Sequence, residues 1–155
     1  MSKNDFMYQA ILEAEKGISK GHGGPFGAVI VKNGAVIARG HNMVIKKQNP
    51  TLHGEIVAIN NACRRLHSFD WDGCDLYTTG EPCPMCFCAA MWANINNIYY
   101  GCTIKDTEGI GFRDNNFDTI MNIDRAKLTN LHKLGREECL VLFDKYNKIK
   151  EKKMY

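Results

Sequence analysis

Two short motifs place the strictest constraint on how this chain folds. His53-Gly54-Glu55 begins one predicted helix, and Cys83-Pro84-Met85-Cys86 begins another about 30 residues later. A fold that brings these two helix starts together would form a zinc site from one imidazole and two thiolates: His53, Cys83 and Cys86. Three protein ligands leave a fourth position open for water, whereas a structural zinc site is closed by a fourth protein ligand. The motifs therefore predict a reactive metal centre.

Glu55 supplies the acid–base group that such a centre needs. It lies two residues after His53, within reach of a water on the metal without being a ligand itself. Zinc lowers the pKa of bound water to roughly 7, so that hydroxide forms at neutral pH. A neighbouring carboxylate can accept the water proton and pass it to a ring nitrogen and then to a leaving amine. The pattern favours hydrolysis of an amino group on an electron-poor aromatic ring.

The cysteine content points away from a disulfide framework. Seven cysteines are an odd number, and the N-terminal sequence MSKNDF has no signal-peptide pattern, so we expect free thiols or metal ligands in a cytoplasmic protein. Cys83 and Cys86 alone would also fit a structural zinc ribbon or a redox pair, which their combination with His-x-Glu disfavours. The others are predicted to pack as small apolar side chains: Cys63, Cys74, Cys88, Cys102 and Cys139.

Length and charge limit the architecture and the partners. The 155 residues suit a single domain over 1–155, and no apolar run approaches the ~20 residues that cross a bilayer. The net charge is +3 and lysines crowd the tail, so neither a membrane nor a nucleic acid is expected as partner.

The order of predicted elements indicates an α/β fold. Asn33-Gly34 predicts a tight hairpin turn between two strands, and Thr51 is a candidate N-cap for the helix that follows. Residues 103–120 look irregular. Predicted helices cover 5–20, 53–66, 82–92 and 136–150, and predicted strands cover 26–32, 35–42, 76–79 and 97–101. Alternation of this kind implies one sheet with helices on both faces.

The motifs resemble the cytidine deaminase-like superfamily of zinc deaminases, and within it the bacterial guanine deaminases. The matching stretches are GGPFGAVIVKNG at 23–34, GHN at 40–42, HGEIVAI at 53–59, LYTTGEPCPMC at 76–86, WA at 92–93, GF-x-D at 111–114 and KK-x-Y at 152–155. The resemblance implies a three-layer α-β-α fold around a mixed, mainly five-stranded sheet. It also implies one zinc ion per subunit with a bound water, and conversion of guanine to xanthine and ammonia.

Several residue roles follow from the resemblance alone. Asn42 would bind the purine edge, Phe26 and Trp92 would form apolar walls, and Asp114 would bind the amino group and assist proton transfer. Tyr155 would close the pocket of a neighbouring subunit, because the family forms a homodimer that exchanges its C-terminal helix and tail, about 136–155. The residues by themselves also fit ordinary core, turn and terminal positions. Gly54 replaces the usual alanine, and no function is assigned to 121–135.

Three other functions remain open from the sequence. The same zinc chemistry serves adenosine deamination in transfer RNA, which needs a basic and open surface around a flipped base. It also serves deamination of cytosine or cytidine. A zinc-stabilised binding module without enzymatic activity is the remaining alternative, and Glu55 argues against it because a structural site needs no carboxylate beside an open position.

Overall fold

A mixed five-stranded sheet forms the centre of the computed structural model, which describes residues 1–155. The strands are β1 (Gly27–Lys32), β2 (Ala35–His41), β3 (Cys74–Gly80), β4 (Asn97–Cys102) and β5 (Leu131–Lys133), in the order β2-β1-β3-β4-β5. Strand β1 runs antiparallel to both neighbours, whereas β3, β4 and β5 are mutually parallel. The mixed five-stranded sheet is as the sequence predicts.

The hairpin between β1 and β2 turns at Asn33-Gly34, as predicted. Both residues have positive φ, 49° and 75° respectively, which a type I′ turn requires. The turn brings His41, at the end of β2, opposite Gly27 at the start of β1. Asn42 therefore follows directly beside the first residues of β1, and its backbone N–H donates to Phe26 O at 2.9 Å.

Helices cover both faces of the sheet and complete three layers. The helices are α1 (Lys3–Ser19), α2 (Val44–Lys47), α3 (Gly54–Leu66), α4 (Pro84–Trp92), α5 (Ile104–Gly109), α6 (Asp114–Met121) and α7 (Arg136–Asn147). On one face α1 and α7 pack against Val29 and Val31, and on the other α3 and α4 pack against Ala28 and Ile30. Alternate residues of β1 thus enter two separate cores, so this strand is buried on both sides.

Three local predictions are wrong. Residues 103–120 contain α5 and most of α6 rather than an irregular loop. Thr103 and Asp106 cap α5 reciprocally, and α6 is a short helix that fully buries none of its residues. The N-cap of α3 is His53, not Thr51. Cys88 is exposed rather than packed, and none of the seven cysteines forms a disulfide. No helix combines the length and apolar character that crossing a membrane requires.

Candidate zinc centre and substrate pocket

The two ligand motifs occupy equivalent positions at two helix starts. His53 is the N-cap of α3 and Cys83 is the N-cap of α4, both with extended backbone (ψ 160° and 167°). Neither side chain caps its own helix, so each is free to point away from the helix axis. Pro84 follows at the first helical position, where its missing N–H has no cost. The fold thereby brings both helix N-termini, with their partial positive charge, to one point.

The three predicted ligands lie together in this structure. One atom from each of His53, Cys83 and Cys86 falls within 4.8 Å of the other two, and Cys83 Sγ is 3.6 Å from His53 Nδ1. A tetrahedral zinc ion about 2.3 Å from sulfur and about 2.05 Å from nitrogen holds such atoms about 3.6 Å apart. The spacing and the donor set therefore fit zinc.

Cys83 is held in the form that binds metal. Hydrogen bonds with Cys86 and then with His53, together with the charge of His53, lower the pKa of Cys83 to about 4 despite its burial. The thiolate is the metal-binding form of cysteine, and helix N-termini favour it further. The electrostatics of Cys83 thus agree with a role as ligand, whereas its hydrogen bond with Cys83 and its burial raise the pKa of Cys86.

Two carboxyl groups face this cluster. Burial raises the pKa of Glu55 to about 7, although the charge of His53 opposes this shift. Burial, reinforced by the negative charge of Cys83, raises the pKa of Asp114 to about 6. A carboxyl group that titrates near neutrality can both accept and donate a proton during one reaction cycle. Glu55 and Asp114 are suited to acid–base chemistry at this point.

The glycine between His53 and Glu55 allows the helix start to lie against the sheet. A Cβ atom at Gly54 would be 2.9 Å from the carbonyl oxygen of Phe26, closer than real Cβ contacts allow without movement. The departure from the family's usual alanine therefore has a local cause, since α3 begins close against the residue that precedes β1.

A pocket opens above the cluster and contains most of the predicted substrate residues. It is lined by Phe26, Asn42, His53, Glu55, Gly80, Glu81, Cys83, Phe112, Arg113, Asp114, Phe117 and Tyr155. Asn42 is 1% exposed; its Oδ1 accepts from Val44 N at 3.1 Å, and its Nδ2 has no partner. Because buried donors are normally satisfied, this amide is placed to donate to a bound molecule.

Aromatic side chains form the opposite wall. The Phe26 and Phe112 rings meet edge to face at 4.9 Å, and Phe112 meets the Tyr155 ring at 5.2 Å. The Gly24 N–H donates to the Tyr155 hydroxyl at 3.1 Å. In this single chain Tyr155 thus covers the pocket of its own subunit. Such a wall suits a flat, apolar-faced ring.

Trp92 is the one predicted substrate residue that the chain does not bring to its pocket. It is the last residue of α4, six positions beyond Cys86, and its side chain is 88% exposed. At about 1.5 Å per residue, the helix carries it roughly 9 Å from the metal cluster. Within its own chain Trp92 is therefore a surface residue.

Other pocket residues had no assigned role at the sequence level. Phe112 is the clearest, because it belongs to the GF-x-D stretch yet only Asp114 received a role there. Arg113, Phe117 and Glu81 also line the pocket. Arg113 and Phe117 lie near Asp114 in the sequence, and Glu81 lies near Cys83. Proximity in the sequence alone does not show which of the neighbouring residues line the pocket.

Known proteins resemble this arrangement. Guanine deaminase of Bacillus subtilis (strain 168) is 45% identical over 114 residues, covering 74% of this chain and 73% of that protein. The X-ray structure of guanine deaminase from Bacillus subtilis matches 100% of this chain and 99% of its own, with TM-score 0.75 and 37% identity. A solved tRNA:A34 deaminase, studied for A-to-I editing at the wobble position of transfer RNA, matches 64% of this chain and 75% of its own, with TM-score 0.61 and 40% identity.

The family assignment follows from the first two thirds of the chain. The model for the cytidine and deoxycytidylate deaminase zinc-binding region matches residues 1–102, which contain His53, Glu55, Cys83 and Cys86. The donor set, its spacing and this match agree on zinc as the metal. The chain belongs to the cytidine and deoxycytidylate deaminase family.

Proposed function

We propose that this protein hydrolyses the amino group of a free purine base, converting guanine to xanthine and ammonia. The observation that carries the proposal is the closed aromatic end of the pocket, where Tyr155 and Phe112 cover the space above the metal cluster. A free base fits behind such a cover, whereas a base within RNA must keep its backbone outside. The likeness to guanine deaminase over the whole chain supports the same choice.

The metal cluster and Glu55 would carry the chemistry. One zinc ion per chain, held by His53, Cys83 and Cys86 and completed by water, would supply the Lewis acidity that makes water nucleophilic at neutral pH. Glu55 accepts a proton from the attacking water, delivers it to a ring nitrogen, and returns the next proton to the leaving amine. The C–O bond forms, the C–N bond breaks and ammonia leaves. No external acid or base is required.

The remaining pocket residues orient the base. Asn42 Nδ2, which has no partner in the protein, donates to an acceptor on the purine edge. Asp114 accepts from the amino group that is lost and assists its protonation, in keeping with its raised pKa. Phe26 packs against the ring face. Each contact uses a group that the fold leaves available in the pocket.

An ammonia-release assay on a panel of substrates tests the proposal. The panel contains guanine, guanosine, adenine, cytosine, cytidine and a transfer-RNA anticodon stem with adenosine at the wobble position. We expect turnover of guanine alone. Turnover of only the RNA stem would replace the proposal with transfer-RNA adenosine deamination, which the 40% identity to a tRNA:A34 deaminase makes the second candidate.

We propose further that the active form is a homodimer in which residues 136–155 are exchanged. The outer face of α4 supports an interface, because Trp92 is 88% and Met91 is 55% exposed there. Gly135, with φ 68°, immediately precedes α7, so the contacts of residues 136–155 could form within one chain or between two by a backbone change at this connection.

Complementation between two impaired variants tests the exchange. Glu55→Gln removes the proton carrier and deletion of 150–155 removes the cover; the two are unfolded together and refolded as a mixture. In an exchanged heterodimer the tail of the Glu55→Gln chain covers the pocket of the truncated chain, which still has Glu55. Activity therefore returns at one site per heterodimer. Each variant refolded alone is the control. A mixture as inactive as its components would contradict the exchange.

A further inference from the structure

Helix α6 carries Asp114 but is weakly attached to the rest of the fold. None of its residues is fully buried, and Phe117, Ile120 and Met121 are 47%, 77% and 64% exposed. Apolar burial, which stabilises most helices, therefore contributes little here. Phe112, buried just before α6, anchors its start. Another contact must hold the second turn for Asp114 to have a defined position.

That contact is a bidentate ion pair between Asp118 and Arg125. The Arg125 guanidinium donates to both carboxylate oxygens of Asp118, from Nε at 2.5 Å and from Nη2 at 2.8 Å. Both side chains are largely shielded from solvent, with 15% and 13% exposure. Paired, shielded bonds between a guanidinium and a carboxylate are among the strongest and most directional hydrogen bonds in proteins. Asp118 lies one helical turn after Asp114, so fixing one restricts the other.

The other edge of the same guanidinium contacts the segment that leads into the metal cluster. Arg125 Nη2 donates to Pro82 O at 2.7 Å, and Nη1 lies 3.4 Å from Glu81 Oε1. Glu81 is itself fixed, since its Oε2 accepts from Ile104 N at 2.9 Å and its N–H donates to Cys102 O at 2.7 Å. Pro82 is followed directly by Cys83. One side chain thus links the helix of Asp114 to the strand end that carries a metal ligand.

We infer that Arg125 is a positioning residue that holds Asp114 at a fixed distance from Cys83. The inference rests on the proposed function for the role of Asp114, but the mechanical link itself does not. Arg125 lies in the 121–135 segment, for which the sequence assigned no function, within a short 3-10 turn at Arg125–Lys127. Its location explains why a segment outside the pocket contributes to the pocket's geometry.

Arg125→Met tests the link, because it removes the positive charge and the paired hydrogen bonds to Asp118 while keeping the side-chain length. We expect kcat to fall roughly 10- to 100-fold with a smaller change in KM, since a carboxylate displaced by about an ångström loses its alignment. Arg125→Lys keeps the positive charge but cannot form the paired hydrogen bonds, so it should recover part of the lost kcat. Lys127→Met is the matched control: that side chain is 83% exposed and pairs only with Asp124, so activity should stay within about twofold.

A double-variant cycle shows whether Arg125 acts through Asp114. In an Asp114→Asn background, adding Arg125→Met should cost nothing further, whereas an independent role would multiply the two losses. Zinc content should remain that of the parent protein in every variant. Loss of zinc in parallel with activity would overturn the inference, because Arg125 would then act on the metal site.

Hydrogen exchange of the α6 amides tests the link without any substrate. In zinc-loaded Arg125→Met, amides of Asp114–Met121 should exchange about tenfold faster, and those of α3 at the parent rate, because hydrogen bonds to charged groups are lost from α6 alone. Asp118→Asn breaks the same paired hydrogen bonds from their other end and should behave identically. Unchanged α6 exchange in both variants would overturn the link. Faster α6 exchange in the variants, together with a parent protein that does not turn over guanine, would reject the proposed function and leave the link in place.

Discussion

The two halves of the site are attached to the fold in different ways. The ligand region, residues 53–55 and 83–86, begins two helices that pack on the central sheet, and Glu55, Cys83 and Cys86 are all buried. The covering region, residues 112–121 and 150–155, contributes Asp114 and Tyr155 from a helix with no fully buried residue and from the tail. The family model matches residues 1–102 and so ends before the covering region begins. The metal-ligand motifs and the residues that cover the pocket therefore lie in separate parts of the chain.

The largest expected effect comes from the ligand region. Cys86→Ser replaces a ligand at the centre of the cluster, where the native side chain is fully buried. Zinc binding should be lost with all measurable activity, and the thermal unfolding midpoint should fall, because metal binding contributes to folding free energy. Metal analysis and calorimetry measure this. A Cys86→Ser variant that bound zinc at the parent level would show that Cys86 is not a required ligand. The contrast between the ligand region and the covering region would then fail.

Glu55→Gln separates chemistry from metal binding within the ligand region. The amide has the same shape but cannot carry a proton, so kcat should fall by roughly 10²- to 10⁴-fold. Zinc content and the unfolding midpoint should match the parent protein. Steady-state rates beside metal analysis provide the comparison. Parent-level turnover would show that Glu55 is not the proton carrier.

Deletion of residues 150–155 removes part of the covering region. Tyr155 would no longer pack on Phe112, so the pocket would admit water and lose one wall. We expect kcat/KM on guanine to fall about tenfold or more with zinc content unchanged. Lys153→Ala, a change within the same tail, is the control and should retain activity. Full activity after truncation would mean that the tail does not cover the site.

Tyr155→Phe gives the smallest effect and isolates one hydrogen bond. The ring stays in place while the bond from Gly24 N–H, 3.1 Å long, is lost. One such bond contributes about 1 kcal/mol, so kcat/KM should fall about fivefold. An effect as large as that of the truncation would place the function of the tail in the hydroxyl rather than in the ring.

The ligand region could be predicted from the sequence, and the reason is local. His53 and Cys83 each precede a clear helical pattern, and Pro84 at the first helical position is a strong start signal. The covering region could not be predicted in this way. Helix α6 is only eight residues long and its apolar residues Phe117, Ile120 and Met121 are exposed, and β5 is only three residues long. Asp114 and Tyr155 were reached through family resemblance alone.

Three other residues have positions that the sequence did not indicate, each for a specific reason. Thr51 has the chemistry of an N-cap, yet the helix starts after His53, whose side chain is directed to the metal cluster instead. Trp92 belongs to a matching stretch, but the length of α4 carries it out to the surface. Arg125 has no local signal, because its partners Asp118 and Glu81 lie 7 and 44 residues away in sequence. Contacts of that kind are set by tertiary packing.

The shallow packing of α6 makes this helix a natural place for redesign. Substitution of exposed positions such as Asn116, Ile120 and Met121 would empty no core cavity, so libraries there should retain folded, metal-loaded protein. Variants that keep Asp118 and its bond to Arg125 would preserve the orientation of α6 while the adjoining loops and the edge of the pocket change. Selection for altered base preference can therefore begin at this helix and leave the metal cluster untouched.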